Sequence, residues 1–177
     1  HIEVTSYSGT GNKETYRLTK IEDRNGNIIQ FAYDSKNQLN KVTDPSGRDF
    51  SFTYNSEGKI ISTTDPIDRK YRYEYNAAGN LVKVINPAGD IIQQFDYDNY
   101  YNLTKITYTK CREVKIEYDL LQDMVISVTD PAGNKFEYSY QKVAGQGMIT
   151  TITDPSGNKT AHGYQPGYYE DKPKVLI

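Results

Sequence analysis

The chain of 177 residues has no tryptophan, one cysteine and two histidines. A lone cysteine, Cys111, excludes an intrachain disulfide. No apolar run exceeds a few positions, so no segment reads as a membrane-spanning helix, and no signal peptide opens the sequence. Charge of one sign is also lacking: 21 Lys and Arg stand against 23 Asp and Glu, a formal net charge of -2. With the cations spread evenly there is no basic face for nucleic acid and no polybasic cluster for membrane insertion. A Gly-x-Ser-x-Gly elbow, a phosphate loop and paired carboxylates for acid-base chemistry are all absent. The chain opens on His1 rather than Met, and no polar capping repeats are evident, so it is expected to be a piece of something longer.

What fills this space is tyrosine, 17 of them, in a repeating unit. Aligning the first apolar residue of each copy gives Leu18, Leu39, Ile60, Leu81, Leu103, Val125 and Ile149, with steps of 21, 21, 21, 22, 22 and 24 residues. Such a period marks a repeat architecture. Residues 18–165 hold seven copies, 1–17 read as a partial or degenerate N-terminal repeat, and 166–177 as the start of another or a tail.

Each copy predicts a β-hairpin. Asp44-Pro45-Ser46-Gly47 places Asp first in a type I turn, Pro where φ is pre-set, and Gly where a left-handed conformation is needed. Asp130 to Gly133 and Asp154 to Gly157 repeat it, Asn86 to Gly89 varies it, and Asp65 to Asp68 and Asp23 to Gly26 each lack one element. A second turn follows the closing tyrosine, as in Asn55 to Gly58 after Tyr54, and suggests a four-residue connection built on a type I turn. Between the turns, large residues recur at period 2: Ile29/Phe31/Tyr33, Phe50/Phe52/Tyr54, Tyr71/Tyr73/Tyr75, Gln93/Phe95/Tyr97, Val114/Ile116/Tyr118, Phe136/Tyr138/Tyr140 and Thr160/His162/Tyr164. They share one strand face. The opposing strand, Leu39 to Thr43, has its apolar residues three apart, which implies a bulge or sharp twist. The fold class expected is all-β, with tandem antiparallel β-hairpins in a curved, spiralling sheet. Phe52, Tyr73, Phe95, Ile116 and Tyr138 are expected to form one continuous buried stripe of packing.

Candidate chemistry dissolves into turn and wall roles. Cys111 occupies the turn-Gly place in a copy that has lost its motif, Tyr108 to Cys111, and no activating cluster accompanies it, so it reads as a tolerated substitution. His1 is terminal, and His162 fills a slot held by Phe or Tyr elsewhere. One Asp per copy is explained by its own turn rather than by calcium, whose repeats use a Gly-rich nonapeptide. Catalytic, cofactor-binding and metal-binding residues: none are assigned, no cofactor is implied, and the chain is not expected to be an enzyme.

The motif Tyr-Asp/Asn-x-x-Gly-x-Leu-x-x-Val-Thr-Asp-Pro-x-Gly, seen in Tyr33 to Gly47, Tyr54 to Asp68, Tyr75 to Gly89 and Tyr118 to Gly133, resembles the RHS or YD repeat. The resemblance implies a ribbon of hairpins spiralling into a hollow shell, as in bacterial polymorphic toxins, wall-associated proteins, C components of insecticidal toxin complexes and teneurins. It implies a non-catalytic shell segment of a large secreted or cell-surface bacterial protein, enclosing a C-terminal toxin or effector domain. The partners would be the rest of that shell and its enclosed domain. The family's self-cleaving segment has no counterpart here, so no catalytic residue carries over. The alternative is a carbohydrate-binding module with tyrosines stacking on wall or surface glycans. Choline-type wall repeats have a similar period but depend on the tryptophan this chain lacks. Asn102-Leu103-Thr104 and Asn158-Lys159-Thr160 fit the N-glycosylation pattern, which bears on a teneurin-like source alone.

Overall fold

The computed structural model describes the backbone of residues 2–8, 14–143 and 147–164 and the side chains of 16–143 and 147–163. His1 and residues 166–177 lie outside this set. The described chain is all-β, apart from one short 3-10 turn. Strand order follows chain order, so neighbours along the sequence are neighbours in the sheet. Two compact units, His1–Ile92 and Gln93–Ile177, are taken in turn.

The first unit holds β1 (Ile2–Ser8), β2 (Glu14–Glu22), β3 (Ile28–Tyr33), β4 (Leu39–Thr43), β5 (Asp49–Tyr54), β6 (Ile60–Thr64), β7 (Lys70–Tyr75) and β8 (Leu81–Ile85). The unit boundary falls inside β9 (Ile91–Tyr97). The second unit continues with β10 (Leu103–Tyr108), β11 (Arg112–Asp119), β12 (Met124–Thr129), β13 (Lys135–Val143), β14 (Gly147–Thr153) and β15 (Lys159–Tyr164). That makes fifteen strands among the described residues, one more than seven hairpins supply; the extra strand is β1, which pairs antiparallel with β2.

Both kinds of turn are mostly three-residue loops closed by a pair four apart; the four-residue connection expected after the tyrosine is found after Tyr118, where Asp119 pairs with Met124. In the first kind, the Asp44 N–H donates to Arg48 O at 2.9 Å and the Gly47 N–H to Asp44 O at 2.9 Å. In the second, Asn55 N–H donates to Lys59 O at 2.9 Å and Gly58 N–H to Asn55 O at 3.2 Å. Gly47 and Gly58 take φ of 77° and 80°, the left-handed residue that completes a type I turn with a bulge.

The bulge implied by the spacing of apolar residues is present at one place in every copy except that beginning at Ile149, where β13 and β14 pair without a shift. Ala32 faces Lys41 while Tyr33 faces Leu39, so Asn40 is the extra residue. Ile61, Val82, Thr104 and Ile126 are extra in the same way. One additional residue in each of these copies re-aims the strand and offsets the register. The row of facing side chains therefore steps sideways: Phe31 opposes Val42, which opposes Phe50, while Phe52 opposes Thr63, which opposes Tyr71. Tyr73 opposes Val84 in the next pair. In the second unit Phe95 leads through Ile106 to Val114, and Ile116 through Val128 to Phe136.

This offset corrects the expectation of a single continuous buried stripe. Central residues of successive hairpins do not oppose one another, and Phe52, Tyr73, Phe95, Ile116 and Tyr138 are all half-buried rather than buried. Among the described residues only Val84, Ser62 and Ser127 are buried, and no large side chain is fully enclosed. Phe50, at 43% exposure, shows how open the aromatic face is. A single sheet layer covers neither of its faces, which is the physical reason.

Candidate functional site

Three features recur along the sheet. The first is the aspartate turn. Asp44 Oδ1 accepts the N–H groups of Ser46 (2.8 Å) and Arg48 (3.0 Å), and Oδ2 accepts Arg48 Nε at 2.7 Å. Asp65 does the same with Ile67, Arg69 and Arg69 Nε. In Asp23, Asp130 and Asp154 an asparagine amide replaces the guanidinium, with Asn27, Asn134 and Asn158 donating to Oδ2 at 2.7, 2.8 and 2.8 Å. The backbone and side-chain donors of Arg48 hold the Asp44 carboxyl below its ordinary range, and Asn134 and Asn158 do so for Asp130 and Asp154. Partial burial opposes ionisation of Asp65, but the donors of Arg69 outweigh it.

These contacts define what the carboxylates can do. Both oxygens are occupied by the turn itself, which leaves no ligand set converging from neighbouring copies. Among the described residues no group of three or more His, Cys, Asp or Glu is placed to hold a metal ion. The donor residue just after the turn's left-handed residue, Arg48, Arg69, Asn27, Asn134 or Asn158, was missed by the sequence reading. Its signal was the recurrence of an Arg or Asn in that place.

The second feature is the closing tyrosine. Ladder pairing between β4 and β5 runs through Thr43–Asp49, Val42–Phe50 and Lys41–Ser51 and then stops. Leu39 thus lies past the last pair, and its carbonyl receives the Tyr54 hydroxyl at 2.6 Å. Tyr33 reaches Leu18 O at 2.8 Å, Tyr75 reaches Ile60 O at 2.7 Å, Tyr118 reaches Leu103 O at 3.0 Å and Tyr140 reaches Val125 O at 2.7 Å. Each hydroxyl replaces a ladder hydrogen bond that a partly buried carbonyl would otherwise lack. Burial raises the hydroxyl pKa of Tyr54, Tyr75 and Tyr118, with a further push from Asp34 on Tyr54 and from Asp98 and Asp123 on Tyr118. The proton needed for donation is held more tightly as a result.

The third feature joins neighbouring tyrosine-side turns. Lys59 Nζ donates to Gly79 O at 2.6 Å and stands 5.4 Å from the centre of the Tyr75 ring. A Cβ on Gly79 would overlap that ammonium, so a side chain there would displace the end of Lys59 from the carbonyl as well as meet the positive φ. Asn102 Nδ2 likewise donates to Asp123 Oδ1 of the next turn at 2.6 Å.

The singled-out residues stay apart from one another. Cys111 is exposed at the end of the 3-10 turn Thr109–Cys111, with φ of 54°, and His162 is exposed on β15, facing Thr150. The two sequon asparagines, Asn102 and Asn158, are turn donors. Lys41–Asp49, Lys83–Glu74 and Lys105–Asp96 pairs decorate the other face at 3.2, 2.9 and 2.7 Å. Pairs this exposed contribute little.

Hairpins in tandem, most of them capped by an aspartate and clamped at the open end by a tyrosine hydroxyl from one strand to the other, define a β-hairpin repeat protein. The RHS Repeat family model matches residues 17–49 and 54–91. No curated protein matches the sequence. Among solved structures it is similar to the complex of TcdB2-TccC3 with Cdc42, at TM-score 0.56 and 17% identity over 93% of this chain. It is also similar to TcdB2-TccC3 without its hypervariable C-terminal region, at TM-score 0.58 and 18% identity over 93%. The Photorhabdus luminescens Tc holotoxin pore matches at TM-score 0.55 and 19% identity over 84%. The chain spans about a tenth of the length of these structures, covering 10%, 10% and 9% of them. Likeness at this identity is likeness of fold.

Proposed function

We propose that this chain is a non-catalytic wall segment of an RHS-repeat shell in a large secreted or cell-surface bacterial protein, and that the shell encloses a C-terminal toxin or effector domain. The observation that carries the reading is the absence of fully buried large side chains among the described residues, despite a face of Phe, Tyr, Ile and Val in register. An apolar face left this open needs a cover that the segment does not supply, and the continuing shell and its contents would provide it. The fold likeness to toxin-complex structures of which this chain spans a tenth agrees with that role. No cofactor, metal or catalytic residue enters the proposal. A glycan platform is less well supported, because the facing rows mix Thr63 and Val84 with the aromatics and so offer no ring at each subsite.

The test is protease protection in the parent protein. In the intact parent the enclosed domain should resist a protease that digests it once the shell is opened. Phe52→Arg with Phe95→Arg should open the wall and expose it. If the C-terminal domain is digested at the same rate in both, the shell reading fails. Retention of the parent on wall polysaccharide, lost in those variants, would favour the glycan module instead.

A further inference from the structure

In the second unit two consecutive tyrosine-side turns depart from the pattern together. The other turns carry Ser35 and Lys36, Ser56 and Glu57, or Ala77 and Ala78 at their tips. The turn from Asp98 to Asn102 carries Tyr100 and Tyr101, exposed at 67% and 65%, and the turn from Asp119 to Asp123 carries Leu120 and Leu121, exposed at 74% and 96%. The hydrogen bond from Asn102 to Asp123 makes the two turns immediate neighbours. Tyr101 also holds φ of 69°, in the place where Gly58 and Gly79 stand, a conformation that a bulky side chain adopts at a cost. Local folding thus gains nothing from the apolar tips. Together they present on the order of several hundred Å² of apolar surface in one place, the size at which a patch marks a contact site.

Charge selects among possible occupants. Asp98, Asp119 and Asp123 stand at the base of this patch, and neither turn contains a Lys or Arg. A second copy of the same patch would bring like charges together, and an anionic bilayer would be repelled. Leucine offers no face for stacking on a sugar. We propose that the paired tips are a docking site for a separate protein whose apolar ridge, flanked by lysine or arginine, seats on Tyr100, Tyr101, Leu120 and Leu121. Large apolar anchors with a complementary charged rim are the usual anatomy of such contacts. The proposal stands independently of what the shell encloses.

The test uses the 177-residue chain and a synthetic amphipathic helical peptide with a leucine face and lysine flanks, compared by fluorescence anisotropy with its glutamate-flanked counterpart. The lysine form is expected to bind at least about tenfold tighter, and more weakly as salt rises. Leu120→Ser with Leu121→Ser should lose that binding while keeping its β-sheet spectrum. Tyr101→Gly should also weaken binding, yet raise the unfolding midpoint by relieving the positive φ. Equal binding of both peptides, no binding of either, or unchanged binding by the variants overturns the proposal. So does a wild-type dimer in sedimentation, or flotation with zwitterionic vesicles, that the leucine variant abolishes, because a second copy or a membrane is then the occupant.

Discussion

Replacing Tyr54 by Phe removes one oxygen and leaves the ring in place. In the structure that oxygen donates at 2.6 Å to Leu39 O, a carbonyl past the end of the β4–β5 ladder. A net hydrogen bond is worth about 1 kcal/mol, and stranding a partly buried acceptor raises the loss to about 1 to 3 kcal/mol. Tyr54→Phe should therefore lower stability by about 1 to 2 kcal/mol, read as a shift of the urea midpoint at constant slope. Tyr73→Phe is the control, since that hydroxyl meets only the Thr63 hydroxyl, at 3.1 Å, on the open face. It should cost less than half as much. Tyr33, Tyr54 and Tyr75 repeat the same clamp every 21 residues, so the triple Phe variant should lose close to the sum of the singles. The Tyr54 and Tyr75 hydroxyls titrate above their ordinary range because they are partly buried. A folded-state pKa above the unfolded value of about 10 means the stabilisation is complete below that pH and is lost as pH rises through the folded value. Alkaline loss of stability should accordingly shrink in the Phe variants. If Tyr54→Phe leaves the midpoint unchanged, or Tyr73→Phe costs as much, the clamp argument is wrong.

Three other outcomes follow from the same geometry. Asp44, Asp130 and Asp154 are held below their ordinary pKa, so their contribution is present above about pH 4 and is lost as pH falls through the folded values; changing all three to Asn, which Asn86 shows the turn accepts, should flatten the acid side of a melting-temperature profile. Gly47→Ala meets no atom within 4 Å and should cost only the left-handed strain, about 1 kcal/mol, whereas Gly79→Ala should cost more and return to that value in a Lys59→Met background, as a double-mutant cycle of denaturation midpoints would show. Phe52→Ala should fall short of the about 3 to 5 kcal/mol of a fully buried ring, because Phe52 is half-buried; a loss within that range in urea titration would mean that the face is covered in solution.

Much of this architecture was determined by the order of residues alone. A turn of Asp, Pro and Gly acts through three or four adjacent residues, and a period-2 aromatic run through five, so both are local and could be read without a fold. The bulge too was legible, since the apolar residues of Leu39 to Thr43 sit three apart, and the structure places the extra residue at Asn40. Other features join residues far apart in the chain, and only the tertiary structure decided them. The Tyr54 hydroxyl finds Leu39 O fifteen residues away because one ladder ends early, and Lys59 finds Gly79 twenty residues on because the turns of neighbouring copies lie side by side. Burial was also beyond the sequence: a row of Phe, Tyr and Ile looks the same in a string of letters whether a second layer covers it or not. Here register is offset by one bulge residue in all copies but the one at Ile149, and the face that alternation predicted to be buried is only half covered, because a single layer of sheet has nothing to press against it.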